Sequence, residues 1–370
     1  MILKSIRLKN FRIHKNTELE FSENLNYIVG GNGEGKTSIL ESIYYLCTTR
    51  SFNTKVDSEV LRFDENEFEI DGMFTDLTKD RVKVFYNFSE NKKNYFQNDK
   101  IVSRSADVIG RFPVVILTPA DHSITQGSPS ERRKFIDSVI SQASETYLKI
   151  LLDYNKTLRQ RSSLLTRIKE TRNPRLYEEL DAWTEKLISS GSEIIRHRLN
   201  FIEEFNTYIR DSYKIIMGND EVPGISYSFL ENSDSGDIRE RFSNILKEKR
   251  TEELRRATNL VGPHRDDYIL EINGISLRTY GSQGQHKTYQ VILRFAEFFY
   301  LKEVSGKTPL FLLDDVFGEL DTNRSIKISE YLREVGQAFI TLTDFSNLSF
   351  LNIGEKDRVF RIQNGTIYNA

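Results

Sequence analysis

Cysteine is nearly absent from this chain. Cys47 is the only one in 370 residues, so neither an internal disulfide nor a zinc hook of the C-x-x-C kind can form. With aliphatic neighbours, it reads as a core side chain rather than a catalytic thiol. Long apolar runs are lacking as well. The most apolar helical stretch, YQVILRFAEFFYL at 289–301, is interrupted by Arg294 and Glu297 and is too short to span a membrane. The opening residues MILKSIRLKNFRIHK alternate apolar and basic side chains. They contain no apolar stretch of about 7–15 residues, so no signal peptide is expected. A strong charge of either sign is also missing: 52 Lys+Arg against 54 Asp+Glu leave a formal net charge of −2. That balance does not announce a nucleic-acid partner, although a local basic face can bind DNA on a neutral chain. No repeat period or low-complexity tract is visible. The expectation is a cytoplasmic globular protein with no membrane contact, built as one large domain or two smaller ones.

Strand-like segments dominate the first 120 residues: ILKSIRL, NYIVG, FEIDGMF, RVKVFYNF, KNYFQ and PVVILTP are short and rich in β-branched and aromatic residues. Turn chemistry such as Asn98-Asp99 separates several of them. After GSPSERR the period changes to three and four residues. It runs from Ser130 to about Lys169 and again from Leu180 to Ile209. At about 1.5 Å per residue, forty helical residues make an arm about 60 Å long. Two such helices joined at ETRNPR predict an antiparallel hairpin. The segments GNDEVPG and ENSDSGD, within 218–237, read as loops. Strand texture returns near residue 260, with Asn273-Gly274 and Asn364-Gly365 as hairpin turns. PLFLLDD and QAFITLT are continuous apolar runs, as in strands buried on both faces of a parallel sheet. The predicted architecture is α/β: a split lobe at 1–125 and 260–370 with a mixed sheet, and a helical lobe inserted at 126–259.

Gly30-Gly31-Asn32-Gly33-Glu34-Gly35-Lys36-Thr37 matches G-x-x-x-x-G-K-[ST] in full, after a strand-like run and before a helix. Glycines let backbone N–H groups turn toward phosphates without a clashing Cβ, and the helix N-terminus adds partial positive charge. Lys36 is expected on the β- and γ-phosphates of ATP, with Thr37 on Mg²⁺ and Ser38 beside them. PLFLLDDVFGELD supplies the complementary acids. Asp314 at the end of a buried strand is placed to hold the metal, and Asp315 to polarise the attacking water. Lys36 and Asp314 lie 278 residues apart with the helical insert between them, the layout of ABC and SMC-like ATPases. That layout calls for a signature loop ahead of the Asp-Asp strand. Ser282-Gln283-Gly284-Gln285 stands there, with Ser282, Gly284 and Gln285 as the phosphate-facing candidates. Such a loop caps the γ-phosphate held by a partner's P-loop, so ATP-dependent homodimerisation is expected. Gly318-Glu319-Leu320-Asp321 matches the D-loop of that interface. Arg12 is either a further phosphate contact or a surface arginine.

These stretches, together with LKNFR, TTRSF, LTPADH, YNKTLRQRSSLL, LDAW and GPHRDD, make a chain that resembles the RecF family nearly end to end. The resemblance implies an ABC/SMC-head-like P-loop ATPase lobe and a slow, DNA-stimulated ATPase of recombinational repair and replication-fork maintenance. It further implies double- and single-stranded DNA as ligands at gaps or junctions, RecO, RecR and RecA as partners, and association with the nucleoid. Some positions depart from the patterns. Pro119-Ala120-Asp121 stands where the family often has P-E-D, in the segment where ABC ATPases carry their Q-loop. Asp315 stands where many ABC ATPases carry Glu, which predicts slow hydrolysis. FITLTD carries Thr343 and Asp344 where transporters show a switch His. His264 and Arg265 receive no reaction, and a turn before a strand is the plainer reading of GPHRDD.

Two local basic excesses are candidate DNA faces. Residues 131–170 hold nine Lys/Arg against five acids, and 79–100 hold six against three. Arg132, Arg133, Lys134, Lys92 and Lys93 are the candidate phosphate contacts; the plainer reading is an ordinary solvated face. No base-reading motif is visible. Two other roles fit the nucleotide motifs. A transporter subunit is disfavoured by Gln283, the missing His and the helical insert. An SMC-like tether is disfavoured by an insert too short for a long coiled coil.

Overall fold

A computed structural model describes residues 1–218, 221–230, 237–319, 321–343 and 353–369. The first elements are β1 (Ile2–Phe11), β2 (His14–Glu20), β3 (Leu25–Val29), α1 (Lys36–Thr48), β4 (Glu67–Thr75), β5 (Lys79–Asn87), β6 (Lys92–Gln97), β7 (Lys100–Val102) and β8 (Val114–Leu117). A helical stretch follows: α2 (His122–Gln126), α3 (Pro129–Ala143), α4 (Glu145–Thr171) and α5 (Arg175–Met217). Then come β9 (Pro223–Ser228), α6 (Ile238–Arg256), β10 (Asp267–Ile272), β11 (Ile275–Ser276), α7 (Leu277–Tyr280) and α8 (Gln283–Ser305). The chain closes with β12 (Leu310–Leu313), α9 (Thr322–Leu332), β13 (Ala338–Leu342), β14 (Arg358–Gln363) and β15 (Thr366–Asn369).

Two units divide these elements. The first holds Met1–Asp121, Asp211–Asp220 and Lys287–Ala370; the second holds His122–Arg210 and Glu221–His286. The first unit contains two six-stranded sheets. One is antiparallel, in the order β2-β1-β4-β5-β6-β7. Along β4 burial alternates residue by residue, as expected where one face meets the core and one meets water. The other sheet runs β15-β14-β3-β13-β12-β8 and is parallel except for the edge strand β15. Every residue of β3, β12 and β13 is buried, the pattern of strands covered on both faces. Ile39, Leu40, Ile43 and Leu46 of α1 share one apolar cluster with Phe68, Ile70 and Val84 of the first sheet and Ile28, Leu312 and Phe339 of the second. Cys47 lies in the same cluster, and burial pushes its thiol up. Both hairpin turns form with left-handed residues at Asn273-Gly274 and Asn364-Gly365.

The second unit combines helices with a three-stranded antiparallel sheet, β11-β10-β9. The expected boundary at residue 260 differs from the observed one because β10 pairs with β9, which keeps 260–286 with the helices. β9 begins in the last two residues of GNDEVPG, expected to be loop, and runs on before ENSDSGD; its backbone partners come from a strand about forty residues away, out of reach of local pattern. The expected continuous helix from Ser130 to Lys169 is two helices. Ser144 adopts an extended backbone (φ −139°, ψ 108°), and its hydroxyl accepts from the Tyr147 N–H at 3.1 Å, which caps α4. The long element is α5, whose 43 residues span about 65 Å at 1.5 Å per residue. α4 ends at Arg172 in the left-handed region, and Pro174 precedes α5. Leu164, Leu165 and Ile168 then pack on Leu176 and Leu180, and Arg161 donates to the Thr184 hydroxyl at 3.0 Å, so the hairpin is antiparallel. α6 leaves little trace in the sequence because only Phe242, Ile245, Leu246 and Glu253 are buried along its charged length. No helix among the described residues is long and apolar enough to cross a membrane.

Candidate nucleotide site

The fully buried β3 delivers the chain to a glycine loop that opens directly into α1. Gly35 has φ 102°, and a Cβ there would lie 2.9 Å from the His14 Nε2, so glycine is required twice over. Lys36, only 7% exposed, donates from Nζ to the Gly30 carbonyl at 2.7 Å and the Gly31 carbonyl at 2.8 Å. Burial lowers its ammonium below the usual lysine range, while Asp315, Asp314 and Glu34 pull it back up. A cleft of about 200 Å³ is lined by Asn32, Gly33, Gly35, Lys36, Thr37 and Ser38 together with Asp314, Asp315 and Thr341. The structure thus joins the P-loop and the Asp-Asp strand across their 278-residue separation.

β12 sets Asp314 at the end of the buried strand, and its amide donates to the Leu117 carbonyl at 2.9 Å. The Thr37 hydroxyl lies 2.9 and 3.0 Å from its two carboxylate oxygens. Burial raises the Asp314 carboxyl above its ordinary range, and the Thr341 and Thr37 hydroxyls lower it. The Thr37 hydroxyl and the Asp314 carboxylate are hard oxygen donors side by side, which suits Mg²⁺. Among the described residues no three or more His, Cys, Asp or Glu gather into a metal cage. Asp315 has φ 50° and is exposed at the cleft, with its amide fixed by the Thr341 hydroxyl at 2.9 Å.

Two supporting residues are not evident from sequence. Thr341 is fully buried, donates to Asp314 at 2.8 Å and accepts from Asp315. A hydroxyl inside the apolar run QAFITLT is its only signal. His14 is also fully buried and sits between the Thr17 hydroxyl and the Gly35 carbonyl, each at 3.1 Å. The side chain of Glu34 accepts from the Asn364 amide, and its carbonyl accepts from Gly365, so the terminal hairpin steadies the loop.

Several expected positions have other duties. Arg12 forks onto Glu41 at 2.7 and 2.8 Å and donates to the Glu59 carbonyl, so its guanidinium is already paired. Asp121 of the Q-loop-like segment forks with the half-buried Arg294 at 2.7 and 2.9 Å. Ser282 and Gln285 form a reciprocal capping box on α8: the Ser282 hydroxyl accepts from the Gln285 amide at 3.2 Å, and Gln285 Oε1 accepts from the Ser282 amide at 2.9 Å. Ser282, Gly284 and Gln285 belong to the second unit. In the D-loop, Asp321 caps α9, whereas Leu320 lies outside the described residues, as does Asp344 of FITLTD.

The candidate DNA contacts are corrected by burial. Arg132 is 3% exposed, forks onto Asp267 at 2.8 and 2.9 Å and donates to the Gly127 carbonyl. Arg133 donates to the Asp266 carbonyl, and Lys93 bonds Thr49, Tyr45 and Asp57. Local composition makes these three cations look solvated because it cannot show a carboxylate or carbonyl brought from elsewhere in the chain. Lys92 is exposed, and the exposed Lys134 pairs with Glu131. GPHRDD proves to be an internal brace. His264 meets the Tyr154 hydroxyl at 2.7 Å, Pro263 and Asp266 meet the buried Arg198, and Asp267 holds Arg132.

A family model described as RecF/RecN/SMC N terminal domain matches residues 2–367. A DNA replication and repair protein RecF from Chloroherpeton thalassium is 39% identical over 368 aligned residues, 96% of this chain and 99% of the relative. Its counterpart from Salinibacter ruber is 37% identical and covers 93% of this chain and 85% of its own. A solved structure of the recombination mediator protein RecF-ATPrS in the RecFOR pathway aligns with TM-score 0.89 at 35% identity, over 100% of this chain and 98% of its own. An SmcHead bound to the C-winged helix domain of ScpA aligns at TM-score 0.58 and 13% identity over 100% of this chain and 97% of its own, a likeness of fold. The sheets, the joined P-loop and Asp-Asp strand and these relatives agree: the chain belongs to the RecF family and is a P-loop ATPase with the fold of SMC heads.

Proposed function

We propose that this chain is a slow ATP-driven switch that clamps DNA during recombinational repair and at replication forks. The observation that carries the reading is the joined cleft, in which Lys36, Thr37, Asp314 and Asp315 meet. A signature loop of the kind formed by residues 282–285 serves the P-loop of a second copy, so ATP binding is the dimerising event. Lys36 exchanges its bonds to the Gly30 and Gly31 carbonyls for bonds to the β- and γ-phosphates. Thr37 and Asp314 hold Mg²⁺, which neutralises charge on the phosphates when bound. Asp315 accepts a proton from the attacking water, and its short side chain favours a low turnover. The gaps or junctions in the DNA, and RecO, RecR and RecA as partners, rest on family membership. The solved relatives are described as recombination mediators of the RecFOR pathway.

For DNA, the exposed cations shift the candidate face from Arg132 and Arg133 to α4. Lys156, Arg159 and Arg167 are exposed there, at a spacing that puts them on one side of the helix. The deciding measurement is binding to gapped duplex with ATP, with ADP and without nucleotide, while particle mass is recorded, for the native chain and Lys36→Met. The expected result is an ATP-dependent dimer with raised DNA affinity that Lys36→Met abolishes. A monomer with no DNA affinity in every nucleotide state overturns the reading.

A further inference from the structure

The antiparallel sheet of the first unit ends in β7, which takes β6 as its ladder partner. Among the described residues no strand pairs with the other side of β7. Asn98 and Asp99, both left-handed at φ 50° and 61°, make a two-residue hairpin turn between β6 and β7. Gln97 and Lys100 close that turn as a bonded pair, and the ladder then alternates. Phe96 and Ile101 form the non-bonded pair, and Tyr95 and Val102 bond again. The N–H and C=O of Ile101 therefore point away from β6, toward the open side. A strand this short presents few such groups, so a ligand there needs side chains to complete the grip.

Those side chains are of two kinds. Ile101 is 59% exposed. On the alternate face cations gather beside Gln97. Lys100 stands across the ladder from it, and the exposed Arg111 donates to its Oε1 at 2.7 Å. The Lys307 ammonium donates to the Arg111 carbonyl at 3.0 Å and lies in the field of Asp80. Among the described residues neither Lys100 nor Arg111 meets a carboxylate at ion-pair distance. Deeper in the same sheet cations are matched across strands, Lys9 with Glu67 at 2.9 Å and Lys83 with Glu69 at 2.6 Å. A lysine on an edge strand discourages pairing with a second copy of that edge, because like charges then face each other. The same charge attracts an acidic strand, so the edge discriminates by sign.

We infer that the open side of β7 is a docking edge for an extended acidic segment of a protein partner, which adds a strand to the sheet. Its backbone bonds the N–H and C=O of Ile101, and an apolar side chain lies against Ile101. Carboxylates at the alternate positions meet Lys100 and Arg111, since side chains of a strand point to opposite faces in turn. Charge complementarity selects the sign of the occupant, and the apolar contact with the outward backbone pair selects a peptide. A nucleic acid would use the cations alone. All of these groups belong to the first unit, and the inference does not depend on the nucleotide reading.

The test follows the fluorescence anisotropy of a labelled synthetic peptide of alternating valine and aspartate, added to the full chain. A valine–lysine peptide and a single-stranded oligonucleotide are the comparison probes. The valine–aspartate peptide is expected to bind, more weakly as salt rises, and the valine–lysine peptide is not. Ile101→Pro removes the outward N–H without removing a ladder bond, so the sheet is kept. It is expected to weaken the acidic peptide about threefold to tenfold. Lys100→Glu combined with Arg111→Glu is expected to reverse the preference between the two peptides. ATP turnover of both variants is expected to match the native chain, which reports that they fold. Should Ile101→Pro lower turnover, the charge reversal decides alone. No binding of the acidic peptide by the native chain overturns the inference. Binding that both variants leave unchanged overturns it as well. If the charge reversal abolishes binding of the oligonucleotide while the acidic peptide binds neither protein, the edge is a nucleic-acid contact and the inference fails.

Discussion

Thr341 shows how one hydroxyl can organise a site. It is the hinge between the two acids, donating to Asp314 and receiving from Asp315. Valine has the same shape without the hydroxyl, so Thr341→Val removes both bonds while keeping the packing. Leaving the buried carboxylate and the amide short of a partner is expected to cost about 1–3 kcal/mol of stability in urea unfolding. Positioning groups of this kind typically change activity by about 10–100-fold, so steady-state ATP turnover is expected to fall by that factor. The direction with pH follows from the same bond. The Thr341 hydroxyl lowers the Asp314 carboxyl, so its loss pushes that carboxyl further up and moves the acid limb of turnover to higher pH. Turnover and acid limb both unchanged would refute the positioning role.

Between residue and whole lies the segment 262–267, which ties α3, α4 and α5 to the strand β10. The Tyr154 hydroxyl donates to His264 Nδ1, and Nε2 faces the Asn259 carbonyl, which suits a neutral ring protonated on Nε2. Burial pushes His264 down to about 4 and Asp266 up to about 6. The two shifts act on stability with opposite signs. Between pH about 4 and 6 unfolding takes up a proton at His264, so that residue makes stability rise with pH. Over the same window the folded chain holds the proton on Asp266, so that residue makes stability fall with pH. The two slopes nearly cancel. His264→Gln keeps a donor and an acceptor but cannot titrate, so the Asp266 slope is left uncovered. Urea midpoints of the variant, compared with the native chain, are expected to decline from pH 4.5 to 6.5. Parallel profiles for the two proteins would show that these shifts are not present in the fold.

Over the whole molecule, near-neutral charge hides which cations are already paired. Arg132 and Arg161 are spent on Asp267 and Glu253, and Lys93 and Lys83 on Asp57 and Glu69. Lys156, Arg159 and Arg167 of α4 remain exposed. If they meet phosphates, changing all three to glutamine lowers the salt dependence of DNA binding by about 0.9 in log–log slope for each phosphate no longer neutralised. ATP binding in the absence of DNA should be unchanged. An unaltered slope would move the DNA face elsewhere.

Whatever depends on neighbours along the chain is legible from the residues alone. G-x-x-x-x-G-K-[ST] fixes a phosphate loop because the turn, the N–H groups and the helix start are consecutive. The unbroken apolar runs of β12 and β13 fix buried parallel strands because both faces must be covered. Asn273-Gly274 and Asn364-Gly365 fix hairpins because left-handed backbone is local. Whatever depends on partners far away in the chain emerges only on folding. The fold pairs Arg12 with Glu41, Arg132 with Asp267 and Asp121 with Arg294, and a charge taken by a distant counter-ion looks free in sequence. It also joins Thr341 to both acids, since burial and proximity are properties of the folded chain and not of its composition.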